Sequence, residues 1–98
     1  MYGTVARLRL KPGTEQQIAA LMKEYESLKV PGHVSTTTYR MDNSPDEYYM
    51  AVVFDNKDAY TRNANDPAQD ARYRKMRELL AADPEWHDGE VIYQGAMS

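Results

Sequence analysis

The chain is 98 residues long, carries a formal net charge of −3 at neutral pH and contains no cysteine. That length fits a single domain over residues 1–98 with one modest core, burying about 65% of the surface the unfolded chain exposes. The missing cysteines exclude a disulfide frame, a thiolate nucleophile and cysteine-held metal, and the mild acidity argues against a nucleic-acid partner.

Thr4 to Leu10 alternates, with Thr4, Ala6, Leu8 and Leu10 on one side and Val5, Arg7 and Arg9 on the other. That pattern predicts a strand, closed by the Lys11-Pro12-Gly13 turn. Thr14 is placed to cap a helix, with Gln17 completing a capping box. Ile18, Leu21, Met22, Tyr25 and Leu28 recur at helical spacing, so an amphipathic helix is expected over 15–29, ended by Pro31-Gly32. Val34 to Met41, with its run of threonines, reads as a strand. Turn chemistry fills Asp42 to Asp46. Glu47 to Phe54 is the most apolar stretch, expected as a strand buried on nearly both faces and paired with its predecessor in an antiparallel hairpin.

Asp55-Asn56-Lys57 opens a helix running to about Ala64. After Asn65-Asp66, Pro67 restarts it, with Tyr73, Met76 and Leu80 on the inner side of residues 67–82. Asp83-Pro84 stops that helix, Asp88-Gly89 is expected to turn the chain, and Glu90 to Gln94 to form a last short strand. The basic residues Arg72, Arg74, Lys75 and Arg77 are interleaved with Asp70 and Glu78, a solvated helix face rather than a nucleic-acid footprint. No stretch approaches about 18 apolar residues, and Lys11-Pro12 interrupts the N-terminus. Neither a membrane partner nor a signal peptide is expected, and the expected compartment is the cytoplasm.

The order strand–helix–strand–strand–helix–strand predicts an α+β fold of the ferredoxin-like split β-α-β type (βαββαβ), an antiparallel four-stranded sheet with both helical regions on one face. The other face would carry Val5, alternate residues of 34–41 and half of 47–54. An apolar patch of that kind predicts a homodimer in which a second sheet covers it. Composition points the same way. Leu, Ile, Val and Phe total only 15 residues, against 6 Met and 8 Tyr. Such a core is completed by a partner subunit, or surrounds a pocket lined by adaptable and hydroxyl-bearing side chains.

The opening VARLRLKPGTEQQI, the strand YYMAVVFDNKDAY and the closing DPAQDARYRKMRELLAADPEWHDGEV resemble the antibiotic biosynthesis monooxygenase family over nearly the whole chain. The shared motifs are a strand-Lys-Pro-Gly-helix start and an aromatic-Asp-x-x-x-Ala-Tyr/Phe entry to the second helical region. The resemblance implies a dimeric α+β barrel and the oxidation or binding of a small aromatic phenol or hydroquinone, with no cofactor and no metal. The implied logic is that a deprotonated phenol itself passes an electron to O₂, while the protein binds it dry and favours the anion with donors. A non-catalytic small-molecule binding or regulatory protein of the same fold is the alternative.

The resemblance places the pocket between the helices and the inner sheet face. Its floor would be Ala6, Leu8 and Leu10, and its walls Met22, Tyr25, Tyr60, Asn63, Tyr73 and Met76. The positions that carry haem chemistry in a haem-degrading branch of the superfamily fall at Ala6, Asn63 and Tyr73, and all three depart from that branch's pattern, so haem degradation is not expected. Asn63 and Tyr73 are the expected catalytic pair, each able to donate to a substrate oxygen, against plainer roles as a helix end and a core aromatic. Tyr25, Tyr60, Met22 and Met76 are expected to contact substrate, though their spacing also suits packing. His33 is expected in solvent, His87 in a turn, and Trp86 against the sheet edge. Arg7 and Arg9 are expected to pair with acidic residues of a partner subunit.

Overall fold

In the first strand, β1 (Tyr2–Arg9), Thr4, Ala6 and Leu8 are shut away from water while Val5 and Arg9 are exposed. The alternation therefore separates an inner from an outer face, as expected for a half-buried strand. The computed structural model describes residues 1–95. Its other strands are β2 (His33–Met41), β3 (Ser44–Phe54) and β4 (Glu85–Glu90), and its helices α1 (Glu15–Ser27), α2 (Lys57–Ala64) and α3 (Pro67–Glu78). Every strand pair is antiparallel, in the order β2-β3-β1-β4. This is the expected split β-α-β topology. Among the described residues no helix is long and apolar enough to cross a membrane.

The core lies on the inner face. Ala6, Leu8, Tyr48 and Met50 from the sheet meet Ile18 of α1, with Leu10 and Leu80 beside them and Met76 of α3 packed against the cluster. Burying each large aliphatic side chain there contributes about 1.5–3 kcal/mol. Local signals hold the helices in place. Asn56 caps α2 by accepting from the Ala59 amide at 2.8 Å, and Asp66 caps α3 by accepting from Ala68 at 2.9 Å, with Pro67 in the first turn.

Several boundaries differ from the sequence expectation. Thr14 stands at the start of α1, but its hydroxyl donates to the carbonyls of Lys11 (2.7 Å) and Leu79 (3.2 Å) instead of closing a capping box. That bond ties the Lys-Pro-Gly turn to the end of α3. The first helix stops at Ser27, not 29, and Lys29 takes a left-handed φ of 49°. Gly32 follows with φ 82°, at a site where a Cβ would stand 2.5 Å from that of Ala59. The third helix stops at Glu78, not 82, because Leu80 leaves it to bridge Leu10 in the core.

The hairpin turn is tighter than the five turn-forming residues suggest. Met41 pairs with Ser44 around Asp42-Asn43, and the next pair is Arg40 with Tyr48, so the extra residues of β3 break the register as a bulge. Within β3, Tyr48, Met50 and Phe54 are buried and Tyr49, Ala51 and Val53 only half-buried, so the strand is closed on its helix side alone.

The largest correction concerns the C-terminal strand. Asp88 and Gly89 do not turn the chain; they lie inside β4, opposite Thr4 and Gly3 of β1. Turn-prone composition yields here to the unpaired edge of β1, which needs hydrogen-bond partners. The expected strand at 90–94 is reduced to its first residue, with Ile92 and Tyr93 exposed. Arg7 differs too, since it pairs within its own chain, with Glu47 at 2.7 Å and Glu85 at 2.8 Å.

Candidate functional site

Between the helices and the inner face of the sheet lies a cavity of about 890 Å³. Its size is in the range that holds drug-sized ligands. Six of the eight residues expected to form the site line it: Met22 and Tyr25 from α1, Tyr60 and Asn63 from α2, and Tyr73 and Met76 from α3. Ala6 and Leu8, expected as its floor together with Leu10, are sealed in the core under Ile18 and Leu80 and do not reach it. The floor is made instead by Thr4, Met50, Val52 and Phe54, because Ile18 and Leu80, with Met76 against them, pack over Ala6 and Leu8.

Asn63 and Tyr25 form one polar pair. Asn63 Nδ2 donates to the Tyr25 phenol oxygen at 3.2 Å, leaving the Tyr25 O–H free to donate. The Arg72 guanidinium sits over the Tyr25 ring, 5.5 Å from its centroid. Burial raises the Tyr25 pKa above its ordinary value, while the Asn63 hydrogen bond and the Arg72 charge pull it back. The result is a desolvated hydroxyl, sharpened as a donor by two neighbours. Tyr25 and Phe54 also meet the His33 ring edge-on, at 5.4 and 5.5 Å, so His33 lines the cavity rather than standing in solvent.

A second pair lies one helical turn back along α2. Tyr60 donates to Asp88 Oδ1 at 2.8 Å. Burial, then the Asp88 hydrogen bond and charge, push the Tyr60 pKa up to about 12. Thr4 faces Asp88 across the β1–β4 ladder and is only 5% exposed. Its hydroxyl makes no hydrogen bond of ordinary geometry, although it is near enough to Tyr60 to favour the phenolate slightly. Tyr73 lies against Trp86, with ring centroids 6.2 Å apart, and both line the cavity.

Sequence reasoning did not find Thr4, Trp86 or Asp88 as site residues. Extending the β1 alternation to a partner strand through Trp86 and Asp88, two apart, would have put all three on one face. His87, between them, faces outward opposite Val5. Among the described residues no group of three or more His, Asp or Glu side chains is arranged to hold a metal ion.

The model of the family described as antibiotic biosynthesis monooxygenase matches residues 1–75. An asparagine-to-alanine variant of SnoaB, a cofactor-independent oxygenase from Streptomyces nogalater, superposes with a TM-score of 0.81 at 18% identity, covering 95% of this chain and 94% of that one. A protein provisionally described as an antibiotic biosynthesis monooxygenase, from Chloroflexus aurantiacus J-10-fl, gives 0.79 at 23% identity, covering 99% and 98%. One similarly described, from Caulobacter crescentus CB15, gives 0.81 at 16% identity, covering 94% and 90%. No curated protein matches the chain in sequence. Asp88 and Trp86 lie beyond the span that the family model matches.

Proposed function

This chain belongs to the antibiotic biosynthesis monooxygenase family, and from that premise we propose that it binds a small aromatic compound of phenol or hydroquinone type in the cavity and oxidises it with O₂, without a cofactor. The observation that carries this reading is the Asn63–Tyr25 pair, a donor array in a cavity whose apolar lining includes Met22, Met50, Val52 and Phe54. In that apolar setting a donor favours an oxyanion far more than it would in water. The substrate phenolate oxygen accepts from the Tyr25 hydroxyl, with Tyr73 as a second donor. Electron transfer from the phenolate to O₂ and recombination at the ring C–H carbon para to the oxygen give a peroxide that takes up the proton lost on ionisation. Loss of water from this hydroperoxide leaves a carbonyl there, so that phenol and O₂ become quinone and water. SnoaB, described as a cofactor-independent oxygenase, shares the fold and supports this direction.

The functional unit in this proposal is a homodimer. Val5 is 50% and Tyr39 58% exposed on the outer sheet face, with Tyr49, Ala51 and Val53 between them. Such a face gains stability when a second sheet covers it.

The test is incubation with a panel of hydroquinones and anthrones, aerobically and anaerobically, with oxygen uptake and binding both recorded. Uptake above the spontaneous rate supports oxidation. Saturable binding without uptake identifies a binding protein of the same fold, and no binding at all rejects the reading.

A further inference from the structure

Thr4, Asp88 and Tyr60 stand together at one end of the cavity, and their chemistry differs from that of the Asn63–Tyr25 pair. Thr4 and Asp88 are direct cross-strand neighbours on the inner face, and Tyr60 descends from α2 to donate to Asp88 Oδ1 at 2.8 Å. All three line the cavity. The Thr4 hydroxyl is buried and, although it lies near Tyr60, makes no hydrogen bond of ordinary geometry, a state folded proteins tolerate where a ligand completes the pairing. Asp88, exposed at the edge of the sheet, keeps Oδ2 as a second acceptor.

A group that satisfies both must donate to a carboxylate and accept from a hydroxyl. A neutral hydroxyl does both. A carboxylate or phenolate would meet the Asp88 charge, and an ether or ketone would leave the carboxylate oxygen unpaired. We propose that Thr4, Asp88 and Tyr60 form a subsite for an uncharged hydroxyl group of the ligand, which sets the cavity's preference for hydroxylated over carboxylated aromatics. This rests on the aromatic-ligand reading above. Tyr60 and Asn63 are three residues apart on α2, about 5–6 Å between Cβ atoms. One ligand thus offers a neutral hydroxyl to Asp88 while a second oxygen reaches Tyr25. The two polar pairs fix which oxygen ionises: the one beside Tyr25, away from the carboxylate.

The test is calorimetric binding of naphthalene-2,6-diol and naphthalene-2,6-dicarboxylate to the full chain and to its Asp88→Asn and Thr4→Val variants, at constant ionic strength. A dicarboxylate presents a charge to Asp88 in either orientation. The diol is expected to bind the unaltered chain at least about tenfold tighter than the dicarboxylate. Asp88→Asn removes that preference, because the amide N–H donates to a carboxylate as readily as the amide oxygen accepts from a hydroxyl. Thr4→Val, nearly equal in shape, weakens the diol several-fold and leaves the dicarboxylate unchanged. Equal binding of the two compounds, a preference that survives Asp88→Asn, or an unchanged diol affinity in Thr4→Val overturns the subsite while leaving the aromatic cavity standing. If neither compound binds, the aromatic-ligand reading falls and the subsite falls with it.

Discussion

Asn63 and Tyr25, 38 positions apart in the chain, are joined by one hydrogen bond of 3.2 Å that links α2 to α1 in the lining of the cavity. The bond orients the phenol so that its own proton points away from Asn63, and it opposes the rise in Tyr25 pKa that burial causes. Asn63→Ala is therefore expected to raise the Tyr25 pKa, read from its ring carbon in an NMR titration. It is also expected to lower turnover, by less than the roughly hundredfold cost of losing a direct oxyanion donor, because Asn63 acts through the Tyr25 hydroxyl. Retained turnover with a shifted Tyr25 would remove the pair from the chemistry.

Tyr73 and His87 make a contrasting pair of substitutions. Tyr73 lines the cavity beside Trp86, whereas His87 lies on the opposite sheet face, across from Val5. Tyr73→Phe keeps the ring packed and removes only the hydroxyl, and is expected to lower turnover about a hundredfold. His87→Ala is expected to leave turnover unchanged. The reverse result places the site on the wrong face of the sheet.

Tyr60 makes stability depend on alkaline pH. Its folded pKa is raised to about 12, by burial first and by Asp88 second, from an ordinary value of 10.0. The folded chain thus holds a proton that the unfolded chain releases. The stabilisation is complete below about pH 10 and is lost as pH rises toward about 12. Discounted for solvent screening at this part-exposed group, the loss is about 1 kcal/mol. Urea unfolding across that window should show a loss larger by that amount in the unaltered chain than in Tyr60→Phe, where the raised Tyr25 and Tyr48 still contribute; equal losses would contradict the raised Tyr60 pKa.

The β1 alternation and the helical spacing of Ile18, Met22 and Tyr25 were legible because each is a local period imposed by burial. They predict the inner face and the sheet-and-helix layering, whereas the six cavity residues follow from the family resemblance, which implies a pocket between those layers. The C-terminal strand was not legible. Trp86-His87-Asp88-Gly89 has turn composition and no apolar period, and all of β4 is exposed. What makes it a strand is the open edge of β1, a tertiary demand that no local pattern reports. The same gap hid Asp88, since its partner Tyr60 is 28 residues away. Ala6 and Leu8 show the opposite limit. Parity placed them on the correct face, but only the packing of Ile18 and Leu80 decides which part of that face stays open.

The outer face carries the dimer proposal. Sedimentation at micromolar concentration is expected to show a species of twice the chain mass. Val5→Asp or Tyr39→Asp, each placing a charge among Ala51, Tyr49 and Val53, is expected to give the monomer with the fold intact by circular dichroism. A monomer in the unaltered chain would contradict the proposal.

The claim on which the account depends is that an aromatic ligand enters the cavity between the helices and the inner sheet face. Methionines sample both that space and its surroundings. Met22, Met50 and Met76 line the cavity, whereas Met1 and Met41 do not. Titration of the methyl-labelled chain with a hydroxylated naphthalene, followed by NMR, reads all of them at once. The account predicts saturable shifts at Met22, Met50 and Met76 with Met1 and Met41 unmoved. Saturable shifts confined to Met1 or Met41, or no shift at any methionine, would contradict it.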